Sequence, residues 1–175
     1  MIIFDKTGLI VPTLLAVFFH EMGHLLCMWA KGVAPKRIKL IPTSVQITAP
    51  SLSSFKKDIA VSLCGPLFNI IIFFTLYLNF LLYKNYEILI FALINLLIAI
   101  FNLLPLKGLD GGKILHSVIS LKSGTEKADK ALSIVTLAFS ICIIILALYL
   151  TIHKIYNFSL YIIALYLLII SLAKK

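Results

Sequence analysis

The sequence predicts an all-α membrane protein with about five transmembrane helices and a short β-hairpin-like insert after the first helix. Of its 175 residues, 61% are hydrophobic and only 13% are charged, whereas soluble domains are about 45–50% apolar and about 25% charged. Five apolar runs approach the roughly 20 residues that a membrane-spanning helix needs. These runs are 9–30, 59–83, 88–104, 132–152 and 158–173. The length suits a single domain over residues 1–175.

Two polar segments interrupt the apolar runs. Residues 31–57 contain short alternating stretches at 37–40 and 45–48, a pattern that predicts two strands paired as a hairpin. The third run is expected to end at Pro105, because proline stops or kinks a helix. The polar residues 122–130 predict an aqueous loop or a surface helix.

Basic residues fall almost entirely on one side of the predicted membrane. With five spans, thirteen of the sixteen lysines and arginines lie in residues 31–57, in residues 106–130 or at the C-terminal end. Because cytoplasmic loops carry an excess of positive charge, this predicts an N-terminus outside and both large loops in the cytoplasm. The net charge of +9 therefore indicates topology rather than nucleic-acid binding, which needs a basic face on a folded domain.

The first apolar run contains an HExxH motif, His20-Glu21-Met22-Gly23-His24. On a helix, His20 and His24 share one face, so that their two imidazoles can reach one zinc ion. Glu21 lies about 100° around the helix from His20 and can act as a general base without binding the metal. An ionised residue inside a membrane span costs at least about 2.5–3.5 kcal/mol. This cost favours a metal site over histidines that only hydrogen-bond to other helices beside a protonated glutamate.

A catalytic zinc usually has three protein ligands, and Asp110 is the candidate for the third. It lies in Leu109-Asp110-Gly111-Gly112, where glycines permit close approach of the backbone to another group. Cys27 is an alternative on nearly the same face as His20, although it lies about 10 Å along the helix axis from that residue. His116 is a further polar candidate, more typical of a cytoplasmic rim.

The cysteines do not suggest a disulfide framework. Cys27, Cys64 and Cys142 are odd in number, widely spaced and located inside apolar runs, whereas a framework needs an even set in a short secreted chain. We expect all three to be small buried apolar residues.

Further motifs resemble the site-2 protease family, the intramembrane zinc metalloproteases of peptidase family M50. Asn102-Leu103-Leu104-Pro105 ends the third run, Leu109-Asp110-Gly111-Gly112 follows it, and Gly65-Pro66-Leu67-Phe68-Asn69 is similar to the family's GPxxN element. The resemblance covers about residues 9–118, which implies a three-helix catalytic core, and leaves about residues 131–173 as accessory helices. By length and loop pattern the chain resembles the bacterial stage IV sporulation protease, which activates a membrane-bound pro-sigma factor.

The resemblance implies a metalloendopeptidase with one Zn²⁺ per chain. Its metal ligands would be His20, His24 and Asp110. Glu21 would be the catalytic base. Asn102 and Pro105 would shape the groove that holds the unfolded substrate segment, and Asn69 would support the site from the second helix.

The implied substrate is a membrane-tethered protein, such as a sporulation pro-sigma factor, cut in or near its transmembrane segment. The lipid bilayer and regulatory membrane proteins are the other implied partners. The alternative is a zinc-binding pseudoprotease or regulatory protein without hydrolytic activity, although the general base Glu21 is present. Sporulation members usually carry one more helix before the motif and a nucleotide-sensing domain after the last span. The sequence shows neither pattern, which leaves the substrate and its regulation open.

The position of the motif in the first helix indicates its depth in the membrane. His24 lies six residues before Ala30, about 9 Å below the cytoplasmic end, which predicts a site near the cytoplasmic leaflet. The strands within 36–49 either bind an extended substrate by edge pairing or form a surface hairpin that covers the site. Deleting residues 43–49 distinguishes the two, because only edge pairing predicts weaker substrate capture.

Overall fold

The computed structural model describes residues 8–32, 37–41, 44–48, 55–155 and 157–172. These residues form six α-helices and one pair of antiparallel strands. In chain order they are α1 (Ile10–Ala30), β1 (Arg37–Ile41), β2 (Ser44–Thr48), α2 (Phe55–Tyr83), α3 (Tyr86–Asn102), α4 (Asp110–Ser123), α5 (Thr125–Ile152) and α6 (Phe158–Leu172).

Three of the described helices, α1, α2 and α5, are long and apolar enough to cross a membrane. Helices α3, with 17 residues, and α6, with 15, are apolar but shorter. At about 1.5 Å per residue, they reach only about 26 Å and 23 Å, against a hydrocarbon core of roughly 30 Å. Of the five predicted spans, three correspond to helices that are long enough to cross a membrane. Spanning by α3 and α6 stays a prediction.

Large apolar side chains on the long helices point outward rather than into a core. Phe18 of α1 is 56% exposed, Leu82 of α2 is 77% exposed and Ile152 of α5 is 79% exposed. Monomeric soluble proteins rarely expose extended apolar surface, whereas a bilayer solvates such side chains. The apolar exterior therefore agrees with the composition. It explains why the apolar runs lack the separate apolar and polar faces of a soluble amphipathic helix.

The strands β1 and β2 pair antiparallel, with Arg37 opposite Thr48 and Ile41 opposite Ser44. The two alternating stretches of the sequence fall inside these strands. The residues 42 and 43 that connect them lie outside the described part of the chain.

The chain divides into two compact units, Met1–Leu103 and Leu104–Lys175. In the first unit, α1, α2 and α3 pack against one another. Small and polar side chains are buried in this unit, among them Ala16, Asn69, Ala92, Asn95 and Ala99. Small residues let helix backbones approach closely in a membrane, where packing and hydrogen bonds drive helix association. The single domain over residues 1–175 stays a prediction.

In the second unit, α5 packs against both α4 and α6. The segment that leads into α4 is hydrogen-bonded to α5 and to α6. The Lys107 backbone N–H donates to Thr136 Oγ1 of α5 at 3.0 Å, and Lys107 Nζ donates to Ser171 O of α6 at 3.1 Å. A side chain at Gly112 would collide with the Leu106 carbonyl. The turn therefore folds tightly over the first turn of α4 and fixes the point at which the helix begins.

Residues 122–130 form the end of α4, a break at Gly124 and the first turn of α5. Gly124 has a φ of +87°, which glycine adopts without steric cost. Helix α5 therefore begins at Thr125, seven residues before the apolar run that predicted it. The polar segment is helical at both ends instead of forming a loop.

Candidate metal centre

The two histidines of the HExxH motif lie on one face of α1, as their spacing predicts. Their Nε2 atoms are 3.2 Å apart, and the residues are only 4% and 8% exposed for His20 and His24 respectively. Two zinc–nitrogen bonds of about 2.0–2.1 Å at a tetrahedral angle place the nitrogens about 3.3 Å apart. The pair therefore fits one tetrahedral metal ion.

A backbone carbonyl of α2 orients His24. Its Nδ1 lies 2.8 Å from the Val61 carbonyl oxygen. Because a carbonyl can only accept, Nδ1 carries the proton and Nε2 keeps the lone pair that a metal needs. Such a hydrogen bond fixes both the tautomer and the ring orientation of a metal ligand.

The backbone of α2 at Gly65 forms a wall against both imidazoles. A methyl group at this position would lie 2.6 Å from His24 Cε1 and 2.9 Å from His20 Cε1, and it would also collide with His24 Nε2. Carbon atoms normally pack about 3.5–4.0 Å apart. Only glycine at position 65 therefore leaves room for both rings in their present orientation.

Asn69 supports the same face of α1 from one turn further along α2. It is fully buried, and its Nδ2 donates to the Ala16 carbonyl at 3.2 Å. Ala16 lies one turn before His20 on α1. The helix that carries the motif is thus hydrogen-bonded to α2 at Ala16, one turn before the histidine pair, and at His24 within the pair.

Glu21 is the next residue after His20 and is half-buried. Its position on the helix turns it about 100° away from His20, so it is beside the histidine pair rather than part of it. Its role as the general base stays a prediction.

Asp110, in the second unit, is the first residue of α4 and is 3% exposed. The N-terminus of a helix stabilises a carboxylate through the helix dipole. Lys113, one turn later, places Nζ 2.8 Å from Asp110 Oδ1. Since this lysine side chain is 61% exposed, one oxygen of the carboxylate is held from the solvent side, and Oδ2 is not engaged in this ion pair.

Two of the other residues singled out in the sequence, Asn102 and His116, have partners within their own unit. Asn102 ends α3, three residues before Pro105, and its Nδ2 donates to the Ile98 carbonyl of its own helix at 2.9 Å. Pro105 is exposed in the segment that precedes α4. His116 lies on α4 with Nε2 3.1 Å from Asp129 Oδ1 on α5. The roles of Asn102 and Pro105 in holding substrate stay predictions.

The expectation that all three cysteines are buried is wrong. Cys27 and Cys64 are half-buried and Cys142 is exposed, because the apolar helices of this chain turn much of their surface outward. Cys27 Sγ donates to the Ala60 carbonyl of α2 at 3.7 Å, so this residue lies at the interface between α1 and α2.

Sequence reasoning missed two contributors to this site, Gly65 and the Val61 carbonyl. A glycine inside a helix costs about 0.5–1 kcal/mol relative to alanine, so Gly65 next to Pro66 was a signal of close approach by another group. The Val61 carbonyl has no sequence signal, because any residue type supplies the same acceptor.

Comparison with known proteins agrees with this fold and motif. A family model described as Peptidase family M50 matches residues 86–146. A zinc metalloprotease of Methanocaldococcus jannaschii is 29% identical over 70% of this chain and 37% of its own length. Stage IV sporulation protein FB of Bacillus subtilis is 31% identical over 67% of this chain and 42% of its own length. The chain thus spans about two fifths of the length of these curated relatives.

The solved structure of the site-2 protease from Methanocaldococcus jannaschii has the same fold. It superposes with a TM-score of 0.75 at 22% identity, over 97% of this chain and 80% of that one. The fold is therefore that of a site-2 protease, and its apolar helices are those of a multi-pass membrane protein. The chain carries a Peptidase family M50 domain, which confirms the family resemblance seen in its sequence.

Proposed function

We propose that the chain is an intramembrane zinc metalloendopeptidase that hydrolyses a peptide bond in or near the transmembrane segment of a membrane-tethered protein. The observation that carries this proposal is the pair of buried Nε2 atoms, 3.2 Å apart, on an apolar helix that also bears Glu21. The name of the Methanocaldococcus relative, a zinc metalloprotease, supports the same activity.

Three residues of this chain would hold the metal. His20 and His24 offer Nε2 atoms at the spacing of a tetrahedral ion, and Asp110 would supply a carboxylate oxygen as the third ligand. The burial of Asp110 at the start of α4 and its place in the Leu109-Asp110-Gly111-Gly112 motif support this role. When bound, zinc would activate a water molecule and polarise the scissile carbonyl group.

Glu21 would transfer protons during hydrolysis. Its carboxylate would accept a proton from the attacking water and then deliver it to the nitrogen of the leaving amine. The oxygen of that water forms the new carbon–oxygen bond as the carbon–nitrogen bond breaks, so the products are a carboxylate and an amine. One carboxylate can perform both transfers because it is regenerated when the amine leaves.

The substrate segment would bind in an extended form, because a helical backbone shields its own peptide bonds. Asn102 and Pro105 would shape the groove that receives it. Asn69 would act indirectly by holding α1 at the Ala16 carbonyl. Several polar residues are buried in the interior of the first unit, among them Asn69 and Asn95, which supports a site that admits water, as hydrolysis requires.

We propose that the active site lies towards the cytoplasm, with the N-terminus outside. The charge asymmetry of the loops and the position of His24 near the end of α1 support this orientation. A protease-sensitive tag at the N-terminus should be cut by protease added to intact cells, and protection of the tag would contradict the orientation.

The name of the Bacillus relative, a sporulation protein, supports a pro-sigma factor as substrate, with membrane proteins as regulators. The class of substrate follows from the chemistry, whereas the individual substrate depends on this likeness. Mapping the cleavage position on single-span candidates would test it, and cleavage of unrelated spans at equal rates would contradict a dedicated substrate.

Removal of the metal should abolish cleavage of a single-span substrate by the purified chain. We expect activity to disappear with the chelator 1,10-phenanthroline and to return when one equivalent of Zn²⁺ is added after the chelator has been removed. The isomer 1,7-phenanthroline, which cannot chelate, is the matched control and should leave cleavage unchanged. A chain that binds zinc but cleaves none of the candidate spans would instead support the pseudoprotease alternative.

The substitution Asp110→Ala should lower zinc affinity at least tenfold. Loss of even an outer-shell partner typically costs about 10–100-fold in metal affinity, and Asp110 is proposed as a direct ligand. Competition with a chromogenic chelator measures the change. Asp129→Ala is the matched control, because this carboxylate is 58% exposed on α5 and should not affect the metal. Unchanged zinc affinity in Asp110→Ala would remove Asp110 from the ligand set.

A further inference from the structure

Two of the three cysteines face each other across the interface of α1 and α2. The Cys27 thiol lies close enough to the Cys64 thiol to act on it electrostatically, and both are free thiols. Cys27 Sγ also donates to the Ala60 carbonyl at 3.7 Å. Because Ala60 and Cys64 lie one turn apart on one face of α2, the two contacts place the Cys27 sulfur against that face.

The helix backbones are unusually close at this level. A methyl group at Gly23 would lie 2.6 Å from the Cys64 carbonyl oxygen and 3.1 Å from Gly65 Cα, well inside the normal contact distance of about 3.5–4.0 Å. Cys27 lies one turn after Gly23, and Cys64 directly precedes Gly65. A disulfide needs Cα atoms about 4.4–6.8 Å apart, and helices separated only by glycine bring neighbouring residues towards this range.

The two thiols can be reached by a small molecule. Cys27 and Cys64 are half-buried rather than enclosed. Cys27 lies three residues before the end of α1, and Lys31, the residue that follows this end, is exposed. The thiol pair is therefore near the polar end of the helix, beside the histidine pair.

We propose that Cys27 and Cys64 are an oxidation site that a peroxide converts into a disulfide between α1 and α2. Each thiol loses one hydrogen atom as the sulfur–sulfur bond forms. Hydrogen peroxide is the two-electron oxidant, and cleavage of its oxygen–oxygen bond yields two molecules of water. A dithiol reductant reverses the reaction by thiol–disulfide exchange.

This modification goes beyond the proposed proteolysis and does not depend on it. The disulfide would join the helix that carries His20 and His24 to the helix that carries Gly65. It would therefore fix covalently the interface on which the orientation of the two imidazoles depends. Reduction would return that interface to noncovalent packing.

The test uses the full chain in detergent micelles with Cys142→Ser, which removes the exposed third thiol. After treatment with hydrogen peroxide, the chain is denatured and labelled with a polyethylene-glycol maleimide. We expect two labels per untreated chain, none after oxidation and two again after dithiothreitol. Mass spectrometry should find one cross-linked pair of peptides containing Cys27 and Cys64. The oxidised fraction should not change on tenfold dilution, because the bond is intramolecular.

Adding Cys27→Ser to the same background should leave Cys64 labelled after oxidation. The main measurement requires no substitution at either proposed position, so a folding defect in this variant would not affect it. Two labels remaining after peroxide would overturn the proposal. So would a loss of label that dithiothreitol does not reverse, or one that falls on dilution.

Discussion

Replacing Glu21 by glutamine should abolish cleavage of a membrane-tethered substrate while the chain keeps its zinc. The amide has nearly the shape of the carboxylate but cannot accept the proton of the attacking water. General acid–base catalysis contributes about 10²–10⁴-fold to rate, and we expect a loss of at least this size. Because His20 and His24 offer the metal-binding Nε2 atoms, zinc content should not change. The measurement is the rate of cleavage of a purified single-span substrate, with zinc determined by mass spectrometry on the same sample.

Glu87→Gln is the matched control for this substitution. It makes the same chemical change in the same unit, at an exposed position in the first turn of α3. Cleavage by this variant should equal that of the unmodified chain. Retained cleavage in Glu21→Gln with normal zinc would contradict the proposed base, whereas loss of zinc would show that Glu21 has a structural role in the metal site.

A single methyl group at Gly65 should weaken zinc binding about 10–100-fold. Gly65→Ala places that methyl against His20 and His24, which must move apart or rotate away from their present orientation. The range is the one seen when the partners that orient a metal ligand are lost. Zinc affinity is measured by chelator competition, and circular dichroism checks that the helices remain.

The direction of the change in zinc affinity distinguishes a role of Gly65 in the metal site from an effect on helix stability alone. Alanine stabilises a helix by about 0.8–1.0 kcal/mol relative to glycine, so without the histidine contact Gly65→Ala should be neutral or stabilising. Leu67→Phe adds more volume to α2 at an exposed position 49% accessible and should leave zinc affinity unchanged. Normal zinc affinity in a folded Gly65→Ala chain would show that the imidazoles do not depend on this wall.

The features predicted well from the sequence are those set by short-range spacing. Helix α1 begins within one residue of the predicted run and ends with it, because a long apolar run leaves few alternatives for the backbone. The histidines share a face because four residues are close to one helical turn. The start of α5 was missed because its first two turns are polar, and helix formation there depends on Gly124 and on packing rather than on hydrophobicity.

The features that could not be predicted depend on how two helices meet. The hydrogen bond from His24 to the Val61 carbonyl spans 37 residues of sequence, and no residue type marks the acceptor. The proximity of Cys27 and Cys64 likewise depends on the register between α1 and α2. The small buried residues allow the two helices to approach closely, but they do not determine this register. Asp110 was recognised from its glycine-rich motif, although its position as the first residue of α4 was not.

The hydrogen bond from His24 to Val61 and the wall at Gly65 also have a consequence for entropy. Freezing a flexible side chain on binding costs about 0.5–1.5 kcal/mol, and these two contacts restrict His24 when the helices pack. The conformational entropy of the His24 side chain is therefore lost during folding rather than when the metal binds. Zinc fingers behave in the opposite way, since their folding depends on the metal. We expect the helical circular dichroism of this chain to be the same before and after chelation, so that metal exchange can occur without unfolding in the membrane.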